Sequence, residues 1–312
     1  MRIGRHCSTA GSLERAALTA HSLGANTLQI FSASPRMWRA KPPDPAQIKL
    51  LESARATHDL HPLVIHDSYL INLAAAPGEI RTKSIDALTG EIERALLIGA
   101  EFLVAHPGNY KGLTIEQGIL NVAEAIVLAV RNINPKLLEN PRLNLLLENT
   151  AGAGAQLGGK LEEISTIRQL VEPYLDLPIG FCLDTCHCYV AGFDIANEPG
   201  FTSFIAHAEQ TIGLKNVPII HTNDTKMALG SHLDRHANIG AGYIGLEGFR
   251  RLLNHPALCN KAFICETPED EPGAELRDIE TLKELVSPRK RSTSKKSSPA
   301  GTKSGPKTRH ST

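Results

Sequence analysis

Ile179-Gly180-Phe181-Cys182-Leu183-Asp184 is an apolar run that stops on a carboxylate. A strand buried on both faces reads this way, because each side chain in turn meets an apolar layer. Five more runs share the pattern: Leu63-Val64-Ile65-His66, Phe102-Leu103-Val104-Ala105-His106, Leu143-Asn144-Leu145-Leu146-Leu147-Glu148, Pro218-Ile219-Ile220-His221 and Ala262-Phe263-Ile264-Cys265-Glu266. Two further strands are expected around Ile3 and at Leu28-Gln29-Ile30-Phe31. In parallel α/β folds chemistry collects where the strands end. One histidine at a strand end is an accident of packing. Six metal-competent ends in register point to a polynuclear metal site.

Segments with helical apolar spacing lie between the strands. Ser12 to Gly24 opens on a capping residue and closes on glycine. Asp44 to Leu60 carries proline at its second position. Glu79 to Ala100 sets Ile85, Leu88, Ile92, Ala95 and Leu96 along one stripe, and Thr114 to Ile133 repeats the arrangement. Lys160 to Tyr174, Phe201 to Ile212, Leu246 to Leu253 and Ala274 to Val286 complete the set. Strict alternation of eight strands and eight helices predicts an α/β protein, a (β/α)8 TIM barrel over residues 1–286. A doubly wound open sheet is the competitor. It would spread the ligand-type ends along a line, whereas a ring brings them to one spot.

Length and composition agree with this reading. A chain of 312 residues with 42% apolar content fits one large barrel. No stretch is apolar enough to span a bilayer, and Met1 to His6 lacks the shape of a secretion signal. The expectation is a soluble cytoplasmic protein, or a nuclear one in a eukaryote, with reduced thiols at its six cysteines. Eight of the 33 Lys/Arg residues follow Ser287, so the body carries 25 basic against 33 acidic residues, a balance of −8. Residues 287–312 are rich in Ser, Thr, Gly and Pro and are expected to form a disordered basic tail. The tail reads equally well as a loose anchor for phosphate backbones and as a solubilising extension.

Three more candidate ligands sit beside the strand ends. His187 follows Asp184 by three residues, and Asp234 and His236 form an Asp-x-His pair that puts both side chains on one side of an extended segment. The set is His66, His106, Glu148, Asp184, His187, His221, Asp234, His236 and Glu266: five imidazoles and four carboxylates. A catalytic zinc takes about three protein ligands plus water, so two or three ions with a bridging carboxylate account for the set. Imidazole richness favours zinc over magnesium, while manganese or iron also suits it. Three divalent ions against four carboxylates leave a balance of roughly +2, which suits an anionic phosphodiester.

Each residue taken singly has a plainer explanation. A lone histidine is more often a hydrogen-bonded core residue, and Glu148 or Glu266 alone could pair with arginine. Cys182, Cys186 and Cys188 have a C-x3-C-x-C spacing that matches no common zinc pattern and read as small buried or loop residues. Gly240-Ala241-Gly242-Tyr243-Ile244-Gly245 fits G-x-G-x-x-G by letter but follows a polar loop, so it reads as a loop before the seventh helix, not a dinucleotide site.

At these residues the chain resembles the endonuclease IV family of apurinic/apyrimidinic endonucleases. The matching blocks are His66-Asp67-Ser68-Tyr69-Leu70-Ile71-Asn72-Leu73, His106-Pro107-Gly108, Leu147-Glu148-Asn149-Thr150-Ala151-Gly152 and Asp184-Thr185-Cys186-His187 with Ala191-Gly192-Phe193-Asp194. His221-Thr222-Asn223-Asp224, Asp234-Arg235-His236, Gly240-Ala241-Gly242 and Glu266-Thr267-Pro268 follow. The resemblance runs from about Ile3 to about Val286. Its one noted departure is Ala153, where glutamine is expected.

The resemblance implies three zinc ions and cleavage of double-stranded DNA 5′ to an abasic site, leaving a 3′-hydroxyl and a 5′-deoxyribose phosphate. Trimming of blocked 3′ ends is expected too. By the family pattern, Glu148 bridges two ions and, with Glu266, counts as catalytic. His66 and His106 complete one ion's ligands; Asp184, His221 and Glu266 hold the second; His187, Asp234 and His236 hold the third. Arg36, Tyr69 and Leu70 are implied as DNA-contacting residues, with Arg36 and Tyr69 pushing into the base stack, where a wedge is cheapest if a base is already missing. No membrane and no obligate protein partner are implied, and a monomer suffices. The alternative is a metal-dependent sugar isomerase or epimerase of the same barrel class, which gathers fewer ligands. A non-catalytic binder of damaged DNA would be favoured by loss of a ligand, and none is lost.

Overall fold

The elements begin with β1 (Arg2–His6), α1 (Leu13–Ser22), β2 (Thr27–Phe31), α2 (Pro45–His58), β3 (Leu63–His66), α3 (Glu79–Ile98), β4 (Phe102–Ala105) and α4 (Ile115–Arg131). They continue with β5 (Asn144–Glu148), α5 (Leu161–Val171), β6 (Ile179–Asp184), α6 (Thr185–Ala191), α7 (Glu198–Thr211) and β7 (Ile219–His221). Last come β8 (Asp224–Thr225), β9 (His236–Ala237), α8 (Gly245–Asn254), β10 (Ala262–Cys265) and α9 (Ala274–Leu285). The computed structural model describes residues 1–139 and 141–286. The expected disordered tail, 287–312, lies outside the described residues.

Eight parallel strands close into a barrel in the order β1-β10-β7-β6-β5-β4-β3-β2. The ring predicted from the strand ends is therefore present. The barrel interior is filled by Val64, Val104, Leu146, Cys182, Ile219, Ala262 and Ile264. A larger apolar layer, including Leu28, Ile65, Leu88, Ile126, Phe181 and Phe249, packs the strands against the surrounding helices. Local signals explain the helix starts. Ser12 accepts from the Arg15 N–H, Asp44 accepts from Ala46 with Pro45 just inside the helix, and Thr114 with Gln117 makes a capping box.

Three features differ from the sequence reading. The first is α6, a seven-residue helix directly after β6. Apolar periodicity cannot reveal so short an element. It is fixed by its ends: the Asp184 carboxylate caps it through the His187 N–H, and Gly192 (φ 114°) closes it in the left-handed region. The second is the antiparallel pair β8-β9 above the barrel, which pairs Thr225 with His236. Helix α7 also begins earlier than expected, at Glu198, because Asn197 caps it and Pro199 is tolerated in the first turn.

Candidate metal centre

The C-terminal mouth of the barrel opens into a cleft of about 330 Å3, lined among others by His66, His106, Glu148, His187, Asp234, His236 and Glu266. Asp184 and His221 are fully buried beneath it. Register explains the convergence: Glu148 stands beside Cys182, and Asp184 beside His221, on adjacent strands. All nine candidate ligands therefore reach one neighbourhood. Glu148 lies at its centre, with Oε2 3.2 Å from His66 Nε2 and 3.1 Å from His106 Nε2. Its Oε1 is 2.8 Å from His221 Nδ1, which is also 3.3 Å from Glu266 Oε2. Asp234 stands between His187 Nε2 and His236 Nε2, at 3.2 Å from each. Asp184 Oδ2 lies 3.8 Å from His236 Nε2.

Hydrogen bonds on the far side of the imidazoles turn the near nitrogens toward the carboxylates. His66 Nδ1 donates to the Asp67 carbonyl at 3.0 Å, His187 Nδ1 to the Asn149 carbonyl at 2.9 Å, and His236 Nδ1 to the Glu266 carbonyl at 3.0 Å. His221 is reversed: its Nε2 donates to Gln29 Oε1 at 2.8 Å and its Nδ1 faces the carboxylates. A proton held on the outer nitrogen is what a metal-binding histidine requires. The carboxylates are braced too. Asn223 donates to Asp184 Oδ2 at 2.6 Å and accepts from the Glu266 N–H at 2.7 Å, while Asn149 accepts from the Asp184 N–H at 2.7 Å.

Without ions the cluster holds protons. Burial disfavours charge on His187 and His236, but the facing carboxylates outweigh it and push them up to about 10 and about 12. Burial likewise opposes charge on His66 and His221, but Glu148 and Glu266 raise His66, and Cys182 with the same two carboxylates raises His221. Burial opposes ionisation of Glu266, yet His221 and His66 bring it down to about 2, and Glu148 and Asp234 are also lowered by their histidines. Groups driven this far apart by mutual attraction are poised to exchange protons for a cation.

Two loops form the rim. Tyr69 is 70% exposed, and its ring meets Phe31 edge-on with centroids 5.2 Å apart. Its hydroxyl is raised first by partial burial and then by Glu266, which puts it within the field of the cluster, and Arg36 opposes that rise. Arg36 is exposed on the neighbouring loop, and Leu70 is partly buried.

The residues fit metal ions. The Nε2 atoms of His106 and His236 are buried and make no hydrogen bond, although both face carboxylate oxygens. Among the described residues, mixed His/Asp/Glu groups with mutually close ligand atoms include His66-His106-Glu148, His66-His221-Glu266 and His187-Asp234-His236.

The family model described as "Xylose isomerase-like TIM barrel" (AP endonuclease 2) matches residues 18–285. A relative from Solibacter usitatus named probable endonuclease 4 is 56% identical over 286 residues, covering 92% of this chain and 97% of its own length. The chain belongs to the endonuclease IV family. A probable endonuclease 4 from Methanosphaerula palustris is 41% identical, covering 93% of this chain and 99% of its own. The crystal structure of endonuclease IV from Thermus thermophilus superposes with a TM-score of 0.79 at 35% identity, over 91% of this chain and 98% of that one. A D-tagatose 3-epimerase-like protein also superposes, with a TM-score of 0.65 at 20% identity and coverage of 91% and 97%, a likeness of fold alone.

Several residues that shape this endonuclease IV-family site were invisible as such in the sequence. Gln29 in the middle of β2 and His6 at the end of β1 pair in register, and their side chains meet. Asn149 and Asn223 sit in the matching blocks without an evident role until their partners are seen. The glycines of 240–245 wrap a carboxylate: Asp224 accepts from the N–H groups of Gly240, Gly242, Ile244, Gly245 and Thr225 at 2.8–3.2 Å. The motif is an anion cradle after all, but for a side chain of the same chain. Cys182, Cys186 and Cys188 are buried free thiols, as expected.

Proposed function

We propose that the protein is a zinc-dependent DNA-repair endonuclease of the deoxyribonuclease IV type that hydrolyses the backbone 5′ to abasic sites. The products are a 3′-hydroxyl and a 5′-deoxyribose phosphate. The observation that carries this reading is the juxtaposition of a nine-ligand cleft with an exposed tyrosine at its rim. The relatives named endonuclease 4 support it.

His66, His106 and Glu148 would hold one ion; Glu148, Asp184, His221 and Glu266 a second; His187, Asp234 and His236 a third. When bound, such ions supply a hydroxide at neutral pH and stabilise charge on the phosphate and the leaving oxygen. Glu148 would serve two of these ions, since its two oxygens face different histidines. Tyr69, Arg36 and Leu70 meet the DNA. Tyr69 and Arg36 enter the stack where a base is missing, and the extruded sugar then lies over the cleft. Blocked 3′ ends offer the same phosphodiester to the same groups and would be trimmed. Among the described residues no helix is long and apolar enough to cross a membrane. We place the protein with DNA in the cytoplasm, or in the nucleus of a eukaryote, acting as a monomer.

The test is a duplex carrying one tetrahydrofuran abasic analogue, incubated with zinc-loaded protein. One nick 5′ to the analogue with a 3′-hydroxyl is expected. An intact strand from protein of full metal content would refute the reading. The sugar-epimerase alternative leaves the His187-Asp234-His236 set without a task.

A further inference from the structure

Gln29 lies on β2 in the middle of a buried strand, and its side chain makes three hydrogen bonds at the foot of the cleft. Its Nε2 is 2.6 Å from Glu266 Oε1 and 3.1 Å from His6 Nδ1, and its Oε1 is 2.8 Å from His221 Nε2. The amide can sit only one way round. Flipped, its oxygen would face the Glu266 carboxylate, acceptor against acceptor. In the orientation present, both amide protons and the carbonyl are used.

We infer that Gln29 is a positioning residue of the metal centre, which fixes the His221 tautomer, aims the Glu266 carboxylate and orients His6 from a single side chain. The inference rests on the metal reading above. Gln29 Oε1 only accepts, so His221 carries its proton on Nε2. Its Nδ1 is therefore the nitrogen left for an ion to take, where it meets Glu148 Oε1 at 2.8 Å and Glu266 Oε2 at 3.3 Å. Glu266 Oε1 is held by the amide, which turns Oε2 toward the ligand cluster. His6 Nδ1 accepts from Gln29, so the His6 proton sits on Nε2. That atom is buried without a hydrogen-bond partner, and His6 lines the cleft. A neutral amide suits the position better than the alternatives: an aliphatic side chain supplies none of the three bonds, and a carboxylate would repel Glu266.

The experiment compares Gln29→Met with the parent, both stripped by chelator and titrated with Co2+ while the visible d–d absorption is followed. Partners of this kind typically contribute 10–100-fold in metal affinity. We expect one class of Co2+ site to weaken by about that factor in the variant, with another class unchanged and the metal-free thermal transition retained. Equal titration curves for the two proteins would overturn the role of Gln29 alone. A parent that takes up no Co2+ would remove the metal reading and this inference with it. Should the variant not fold, long-range 1H–15N correlations of the imidazoles in the zinc-loaded parent decide. Protonated Nε2 on both His221 and His6 supports the inference, and a protonated Nδ1 on either overturns it.

Discussion

Ser68 donates its hydroxyl to the Pro35 carbonyl at 2.8 Å, and this bond ties the loop of Tyr69 to the loop of Arg36. The same oxygen accepts from the Leu70 N–H at 3.3 Å. Below, Ser32 at the base of the second loop is held by Arg94 at 2.7 Å and by Glu91. The two rim loops are thus tied to each other and to α3. In Ser68→Ala the metal cluster is untouched but the loops are uncoupled. A buried hydrogen bond contributes about 1 kcal/mol, so binding to an abasic duplex should weaken about 5-fold. Metal content and single-turnover rate at saturation should stay at parental values. A fall in metal content would show that Ser68 acts on the cluster instead.

Glu148→Gln tests the bridging role. Each Glu148 oxygen faces a different group of histidines, Oε2 toward His66 and His106 and Oε1 toward His221. The amide keeps the shape but replaces one acceptor with a donor that confronts a ligand nitrogen. We expect nicking of the abasic duplex to fall by at least ~100-fold, with loss of bound metal. Near-normal rate and metal content would exclude a shared carboxylate.

The protonation pattern sets the sign of the pH dependence. In metal-free protein His187 at about 10 and His236 at about 12 both carry protons at pH 8. An ion needs their bare nitrogens, so its binding expels protons and tightens as pH rises. Stability without metal runs the other way for these groups. Their folded values lie above the ordinary 6.5, so their contribution is full below that pH and is lost as pH climbs toward 10 and 12. Glu266, lowered to about 2 from 4.5, contributes above 4.5 and loses that contribution as pH falls toward 2. The Tm of metal-free protein should therefore decline from pH 7 to pH 10, while the rise in Tm on adding zinc grows from pH 6 to pH 8. Calorimetric zinc titrations in buffers of different ionisation enthalpy should report proton release. Binding without proton release would contradict the arrangement.

Much of this was legible in one dimension because a parallel barrel makes a strand end and a site nearly the same thing. The run ending at His66 is β3 and the run ending at Asp184 is β6, residue for residue. What could not be read is whatever depends on a partner across the barrel. Gln29 is one polar residue in an apolar strand, and its partners Glu266 and His221 lie 237 and 192 residues away. Helix α6 is seven residues long and is specified by a cap that is also a candidate ligand, so chemistry and local structure share the signal at Asp184. Arg36 and Tyr69 carry no periodicity and stood out only through the family resemblance.

Asp224 offers the sharpest test of how the loop near His236 is held. Its buried carboxylate accepts from five backbone N–H groups, four of them in the glycine loop 240–245. The loop can come this close because Gly242 has no side chain: a Cβ there would lie 2.3 Å from the Thr225 carbonyl oxygen and 2.5 Å from Asp224 Oδ1. Strand β8, which carries Asp224, pairs with β9, which carries His236. The cradle therefore braces one end of the His187-Asp234-His236 set. Asp224→Asn turns an amide N–H toward donors and leaves several of them unsatisfied. Each unmet buried group costs about 1–3 kcal/mol, so the metal-free variant should lose about 3 kcal/mol in urea unfolding. Zinc affinity should fall at one class of site, because β9 loses its support. A loss below about 1 kcal/mol would mean that water replaces the carboxylate in the cradle.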